Sequence, residues 1–198
     1  MRNKNSQGRR TKEQIIQAAI TAFAEKGAHG VSLQDVSRKL KIKRSHLVYH
    51  FKDTDELFHA TWKSVYEKAL QTTEERLIGA GTNTQKLAEY FKVSIDFFTS
   101  NSEFTKLYFQ LHYMSVFSDQ LRVINTAVKQ RAVQRLAKII MNGQLAGEFK
   151  QGIDPYLHAK SLHSGLVGIL LNSISEFPQF SLNEILEAYT NTILAGLK

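Results

Sequence analysis

Residues 31–58 read VSLQDVSRKLKIKRSHLVYHFKDTDELF, and the fold turns on how this stretch divides. Ser32, with Asp35 three positions on, caps a short helix whose Leu33, Val36 and Leu40 form one apolar stripe. That helix is about nine residues long. Lys41 and Ile42 follow, and a second short helix over Lys43 to Tyr49 has Leu47 as its inward residue, with Phe51 just beyond. Asp53 with Glu56 caps a longer helix carrying Leu57, Phe58, Thr61, Trp62, Val65 and Ala69 to about Ile78. Two short helices joined by a tight turn, the second polar around a single buried leucine, predict a helix-turn-helix.

Working outward, Thr11 with Gln14 is a capping-box pattern, and Ile15, Ile16, Ala19, Ala22 and Phe23 recur at helical spacing. The first helix is therefore expected from about Thr11 to Lys26, stopping at Gly27. Residues 79–84 break the chain with two glycines, two threonines and an asparagine. Helical patterns resume over 85–99, 104–113 and 119–142, and Asp154 before Pro155 marks another start. Ser181 with Glu184 opens the last helix. No strand-like alternation competes, so the expected class is all-α: an amino-terminal helix-turn-helix bundle over 1–52, with a basic arm at 1–10, then a helical region over 53–198, about nine helices in all.

The chain has 198 residues, two prolines and no cysteine, which excludes a disulfide framework, thiolate metal sites and thiol nucleophiles. A reducing cytoplasm is the expected home. The amino terminus has no apolar secretory core, and the longest apolar run, Gly165 to Leu171, is far too short to cross a bilayer, so a soluble protein without membrane partners is expected. The net charge of +8 is uneven. Residues 1–52 hold twelve basic and three acidic side chains, a net +9, whereas residues 53–198 carry −1. One end suits a polyanion, although a solvated surface or an anionic membrane patch would give the same asymmetry.

The second short helix carries Lys43, Arg44, Ser45, His46, Tyr49 and His50. An α-helix fits the DNA major groove, where each base pair shows a distinct donor and acceptor pattern. Arg44 can donate two parallel hydrogen bonds to guanine, while Ser45 and His46 can read or pack against neighbouring bases. The plainer reading is a helical hairpin with a solvated polar face. His46 and His50 have a zinc-like i, i+4 spacing, but no further ligand lies near them, so no metal or cofactor is expected.

The stretches IIQAAITAFAEKGAHGVSLQDVSRKL (15–40), IKRSHLVYHFKDTDELF (42–58) and AGEFKQGIDPYLHAKSL (146–162) resemble the Tet repressor (TetR) family of bacterial transcription regulators. The resemblance implies that Ser32 holds a phosphate, that Gln34 reaches a base, that Arg44, Ser45 and His46 are the main base readers, and that Tyr49 and His50 touch the backbone. The sequence departs from the family at Lys41, where a turn glycine is usual, at Val48, where tyrosine is commoner, and at Thr54 in place of a frequent lysine. Lys52 would supply the lost phosphate contact, and Arg10, beside Arg9, would neutralise further phosphate.

The resemblance also places a small-molecule site in the aromatic middle of the chain, where Trp62, Phe91, Phe98, Tyr108 and His112 suit a hydrophobic or aromatic ligand. Aromatics at helical spacing equally make ordinary core. Gly165 to Leu171 is apolar all round and needs cover on every side. With the apolar face of the last helix it reads as a pairing surface built from Leu162, Leu166, Ile169, Leu170, Ile185, Tyr189 and Ile193, with Gly165 and Gly168 allowing close helix approach; a central helix inside one chain's core is the alternative. The expected function is a homodimeric repressor on a palindromic double-stranded operator, modulated by a small-molecule effector. A DNA-binding protein of the same fold without an effector, acting through protein contacts or DNA architecture, is the second reading. No enzyme is expected, because no nucleophile elbow, phosphate loop, zinc-protease helix or paired carboxylates occur.

Overall fold

The first helix begins well before Thr11. In a computed structural model, which describes residues 2–174 and 179–198 and side chains from Thr11 onward, α1 spans Arg2–Lys26 and runs through the expected cap. No proline precedes Thr11, and the single Gly8 costs a helix only about 1 kcal/mol, so nothing stops it extending backwards. At its other end Gly27 turns the chain at φ 74°, its amide donating to the carbonyl of Phe23 at 2.9 Å.

A 3-10 turn at Ala28–Gly30 leads into α2 (Leu33–Leu40), α3 (Arg44–His50) and α4 (Thr54–Ile78). These are followed by α5 (Asn83–Thr99), α6 (Ser102–Met114), α7 (Asp119–Leu145), α8 (Pro155–Asn172) and α9 (Leu182–Leu197). The described residues contain nine α-helices and no strand, and the all-α expectation holds. Most helix starts are where local chemistry put them. Ser32 and Asp35 form a complete capping box, as do Ser181 and Glu184, and Asp154 accepts from the Leu157 amide at 2.8 Å. The helix over 85–99 starts two residues early because Thr82 and Gln85 make a further capping box.

Two compact units emerge, and they do not follow the sequence division after Lys52. The first comprises residues 1–68 and 101–113, the second residues 69–100 and 114–198. The first unit keeps the amino-terminal part of α4 because Phe58 packs edge-on against Phe23 of α1, their centroids 5.2 Å apart. It also contains α6, whose Gln110 donates from Nε2 to the Phe23 carbonyl at 2.8 Å. Its core is Ile15, Ala19, Phe23, Val36, Leu47, Phe51, Leu57 and Leu107, all essentially buried.

The second unit is built on α5, α7, α8 and α9. Leu162, Leu166, Ile169 and Leu170 are 2–8% exposed in the single chain, so they are its own core and not the outward half of a pairing surface. An all-round apolar segment has to be covered, but its sequence does not say by which molecule. Gly165 likewise serves an intrachain contact. The Tyr189 hydroxyl of α9 lies over it and donates to the Leu162 carbonyl at 2.9 Å, and a Cβ at Gly165 would lie 2.7 Å from the Tyr189 ring. Gly165→Ala is therefore expected to cost about 1–3 kcal/mol through overpacking, read as a lowered midpoint in urea unfolding. Gly168→Ala, where a Cβ meets nothing within 4 Å, should leave that midpoint nearly unchanged.

Glu148, just after α7, fastens the start of α5. Its carboxylate accepts from the Asn83 amide at 3.0 Å, the Asn83 Nδ2 at 2.9 Å and the Thr84 amide at 2.8 Å. The backbone donors of Asn83 and Thr84 hold its pKa down at about 2 instead of the ordinary 4.5. A depressed carboxylate stabilises the fold fully above its ordinary pKa and loses that contribution as pH falls from about 4.5 towards 2. Glu148→Ala should cost about 1 kcal/mol at neutral pH, and the difference from the parent should vanish in melts taken near pH 2.

Candidate nucleic-acid interface

The reading head is α3, seven residues long and anchored by two buried side chains. Leu47 is 0% and Phe51 1% exposed, so the helix is pinned on one side and turns everything else outward. Lys43, Arg44, Ser45, His46, Val48 and Tyr49 are all exposed, Tyr49 to 85%, and His50 is half-buried with its ring edge-on to Tyr49. A hydroxyl, an imidazole, a phenol and a guanidinium thus share one small convex face.

Lys41 is what allows this face to follow α2 so closely. It takes the left-handed conformation (φ 55°, ψ 39°) that a glycine would adopt more cheaply, and its amide closes α2 on the carbonyls of Ser37 and Arg38. It is the only non-glycine residue with positive φ among those described. The departure noted at this position therefore changes the residue and not the turn.

The electrostatics divide by position. Arg38 lies 3.8 Å from Asp35, Lys39 3.8 Å from Glu25, and Lys52 3.5 Å from Asp53. Among the described residues Lys41, Lys43 and Arg44 make no ion pair, which leaves three cations at the turn and the start of α3 for an external anion. Ser32 is less available than its position implies. Its hydroxyl donates to Asp35 Oδ2 at 2.6 Å and accepts from the Asp35 amide, and these contacts hold the Asp35 carboxyl below its ordinary pKa. A phosphate there would meet the exposed end of α2 with that hydroxyl already engaged. Gln34 is exposed on the first turn of α2, and Lys52 is exposed at the turn into α4. Its backbone amide donates to Glu56 Oε2 at 2.8 Å, while the Glu56 amide donates to Asp53 Oδ1 at 2.8 Å. Arg10 lies outside the residues whose side chains are described.

Lys12 was not singled out by sequence, yet its ammonium stands 5.4 Å over the Phe51 ring. Gln110, which ties α6 to the end of α1, was missed too; no local pattern in α6 points to a partner 87 residues away.

The five aromatic-region candidates fall in different surroundings. In the first unit Trp62 is buried and stacks on Tyr66 at 5.5 Å. Tyr108 is buried against the half-buried His112 at 4.2 Å, and His112 Nδ1 lies 2.9 Å from the Tyr108 carbonyl, which can only accept, so Nδ1 carries the proton. In the second unit Phe91 is 0% exposed and packs on Tyr189 at 5.5 Å, while Phe98 is half-buried edge-on to Phe97. Of the remaining pairing candidates, Ile185, Tyr189 and Ile193 are half-buried. No group of three or more potential metal ligands occurs among the described residues, and none of their helices is long and apolar enough to cross a membrane.

Residues 15–61 match the family described as bacterial regulatory proteins, tetR family. The biofilm operon icaADBC HTH-type negative transcriptional regulator IcaR of Staphylococcus epidermidis is 36% identical over 55 residues. That stretch is 28% of this chain and only 30% of the relative's length. Over nearly the whole chain the fold is shared with solved structures of lower identity. The TetR family transcriptional regulator PfmR from Thermus thermophilus superposes with a TM-score of 0.71 at 22% identity, covering 93% of this chain and 98% of that one. The transcriptional regulator FadR from Bacillus subtilis, in complex with stearoyl-CoA, superposes with a TM-score of 0.81 at 17% identity, covering 94% and 99%. The match is to a family of DNA-binding regulators and not of enzymes.

Proposed function

We propose, for a chain that carries the tetR-family domain in its amino-terminal segment and that family's fold throughout, that it is a homodimeric, cytoplasmic transcriptional repressor whose operator binding answers to a small molecule. The observation that carries the reading is the outward face of α3: Arg44, Ser45, His46 and Tyr49 exposed together on a helix held by Leu47 and Phe51, with Lys41, Lys43 and Arg44 free of ion pairs among the described residues. Arg44 and its two neighbours read base edges, Gln34 reaches one more, and Lys43, Tyr49, His50, Lys52 and Arg10 contact the backbone, with Ser32 presenting the start of α2.

A single seven-residue helix covers only a few base pairs, so specificity calls for a second copy. Two heads related by a two-fold axis fit a palindrome whose half-sites lie about 34 Å apart. With Leu162, Leu166, Ile169 and Leu170 inside the chain, we assign pairing to the opposite side of α8. There Leu157, Ser161, Ser164, Gly168 and Leu171 run uncharged along the helix, Leu157 63% and Leu171 49% exposed. Ile185, Tyr189 and Ile193 of α9 support that surface.

The sign of control follows IcaR, a negative regulator by description, and the existence of an effector is supported by the acyl-CoA-bound FadR. Trp62, Tyr108 and His112 in the first unit, and Phe91 and Phe98 in the second, are the proposed effector contacts. A ligand shifts DNA affinity only by its differential affinity for two arrangements of the protein; a coupling of about 1–3 kcal/mol gives a change of roughly 5- to 150-fold. Selection from random duplexes, with solution mass measured on the same material, tests the reading. A dimer enriching an inverted repeat with half-sites one helical turn apart is expected. A monomer, or no enrichment, overturns it.

A further inference from the structure

The second unit carries a cleft that the DNA reading leaves unused. It lies between α7 and α8, encloses about 790 Å³, and is lined by Lys129, Val133 and Gln134 on one side and Tyr156, Lys160 and Val167 on the other, among others. That volume falls in the range of small-molecule sites. The lining combines half-buried valines with an aromatic ring and two ammonium groups, so it has an apolar floor and a cationic rim.

The charge is one-sided over a long stretch. Between Asp119 and Glu148, α7 bears Arg122, Lys129, Arg131, Arg135 and Lys138 without one carboxylate, and no acidic residue occurs from 155 to 172 along α8. Arg122 is neutralised by Asp119 at 2.9 Å. Lys129 and Lys160 make no ion pair with any described residue and are the two cations that line the cleft. Unpaired ammonium groups on a ridge would simply be hydrated; here they stand over a concavity whose lining includes Val133, Val167 and the Tyr156 ring.

We propose that this cleft is a binding site for a small organic anion, an apolar or aromatic body bearing a carboxylate, sulfonate or phosphate. The apolar part lies against Val133, Val167 and Tyr156, and the anionic group is held between Lys129 and Lys160. The site lies in a different unit from α3 and does not depend on the DNA reading.

The probes are 1-anilinonaphthalene-8-sulfonate and N-phenyl-1-naphthylamine, which share a body but differ in charge, titrated by fluorescence into the full chain. The sulfonate is expected to saturate one site per chain, and its affinity to fall about threefold to thirtyfold in the Lys129→Gln/Lys160→Gln double variant and with added salt. Binding of the neutral amine should be the same in both proteins, and an unchanged melting curve would show that the variant folds. Equal sulfonate affinity in parent and variant overturns the proposal, as does absence of saturable binding. So does a variant whose solution mass changes while sulfonate binding does not, because the cleft would then be filled by a second copy of the chain. Duplex selection by the double variant should be unchanged, which separates failure of this site from failure of the repressor reading.

Discussion

Arg44→Ala is expected to weaken operator binding by about 1–3 kcal/mol per half-site, roughly 5- to 150-fold, and to abolish discrimination at one base pair in each. Arg44 opens α3, exposed and without an ion pair among the described residues, so its planar fork of donors is available for two parallel bonds to one guanine edge. Nothing in the fold rests on it, since Leu47 and Phe51 hold the helix, and the loss should appear in binding and not in the melting temperature. Lys52→Ala provides the contrast. Lys52 lies 3.5 Å from Asp53 with both side chains well exposed, so a phosphate must compete with a carboxylate already present. Its removal should weaken binding a few-fold on every duplex alike. Both variants measured against a panel of point-mutated operators decide the matter: equal losses across the panel for Arg44→Ala would mean that it touches only phosphate.

What could be read from the residues beforehand was whatever is decided within a few positions. The caps at Ser32, Asp53, Asp154 and Ser181 form because a short polar side chain finds an amide three residues on, and each is present. The left-handed Lys41 was legible for the same reason, as the turn between two short helices dictates its backbone. Thr11 shows the limit of such signals: a capping box permits a start, but only the residues before it can force one, and those before Thr11 do not. Burial was legible as a need and not as a partner. Leu162, Leu166, Ile169 and Leu170 had to be covered, and periodicity could not distinguish α7 and α9 of the same chain from a second copy. Contacts across the sequence left no trace at all. Gln110 on Phe23 and Glu148 on Asn83 and Thr84 join residues 64 to 87 positions apart through side chains with no special pattern around them.

The largest effect expected of any condition is that of salt. Residues 1–52 carry a net +9 while the rest of the chain carries −1, so the attraction to DNA is concentrated in the segment that holds α3. Not all of that charge is at the polyanion's disposal. Arg38, Lys39 and Lys52 face Asp35, Glu25 and Asp53, and the Asp35 carboxylate stays ionised well into acid because Ser32 donates to it. Lys41, Lys43 and Arg44 have no such partner among the described residues, and the basic residues of the first turns of α1 add to them. With about three or four phosphates neutralised by each head of a dimer, affinity should fall about a thousandfold between 50 and 200 mM salt, because each neutralised phosphate releases condensed counterions. Removing Lys43 should lower the slope of log affinity against log salt by about one per head if it contacts phosphate, whereas a residue that only packs would leave the slope alone. Titrations of one operator at four or five salt concentrations measure this directly. A slope near zero would mean that the exposed cations around α3 face water and not DNA, and the assignment of α3 to the major groove would fall with them.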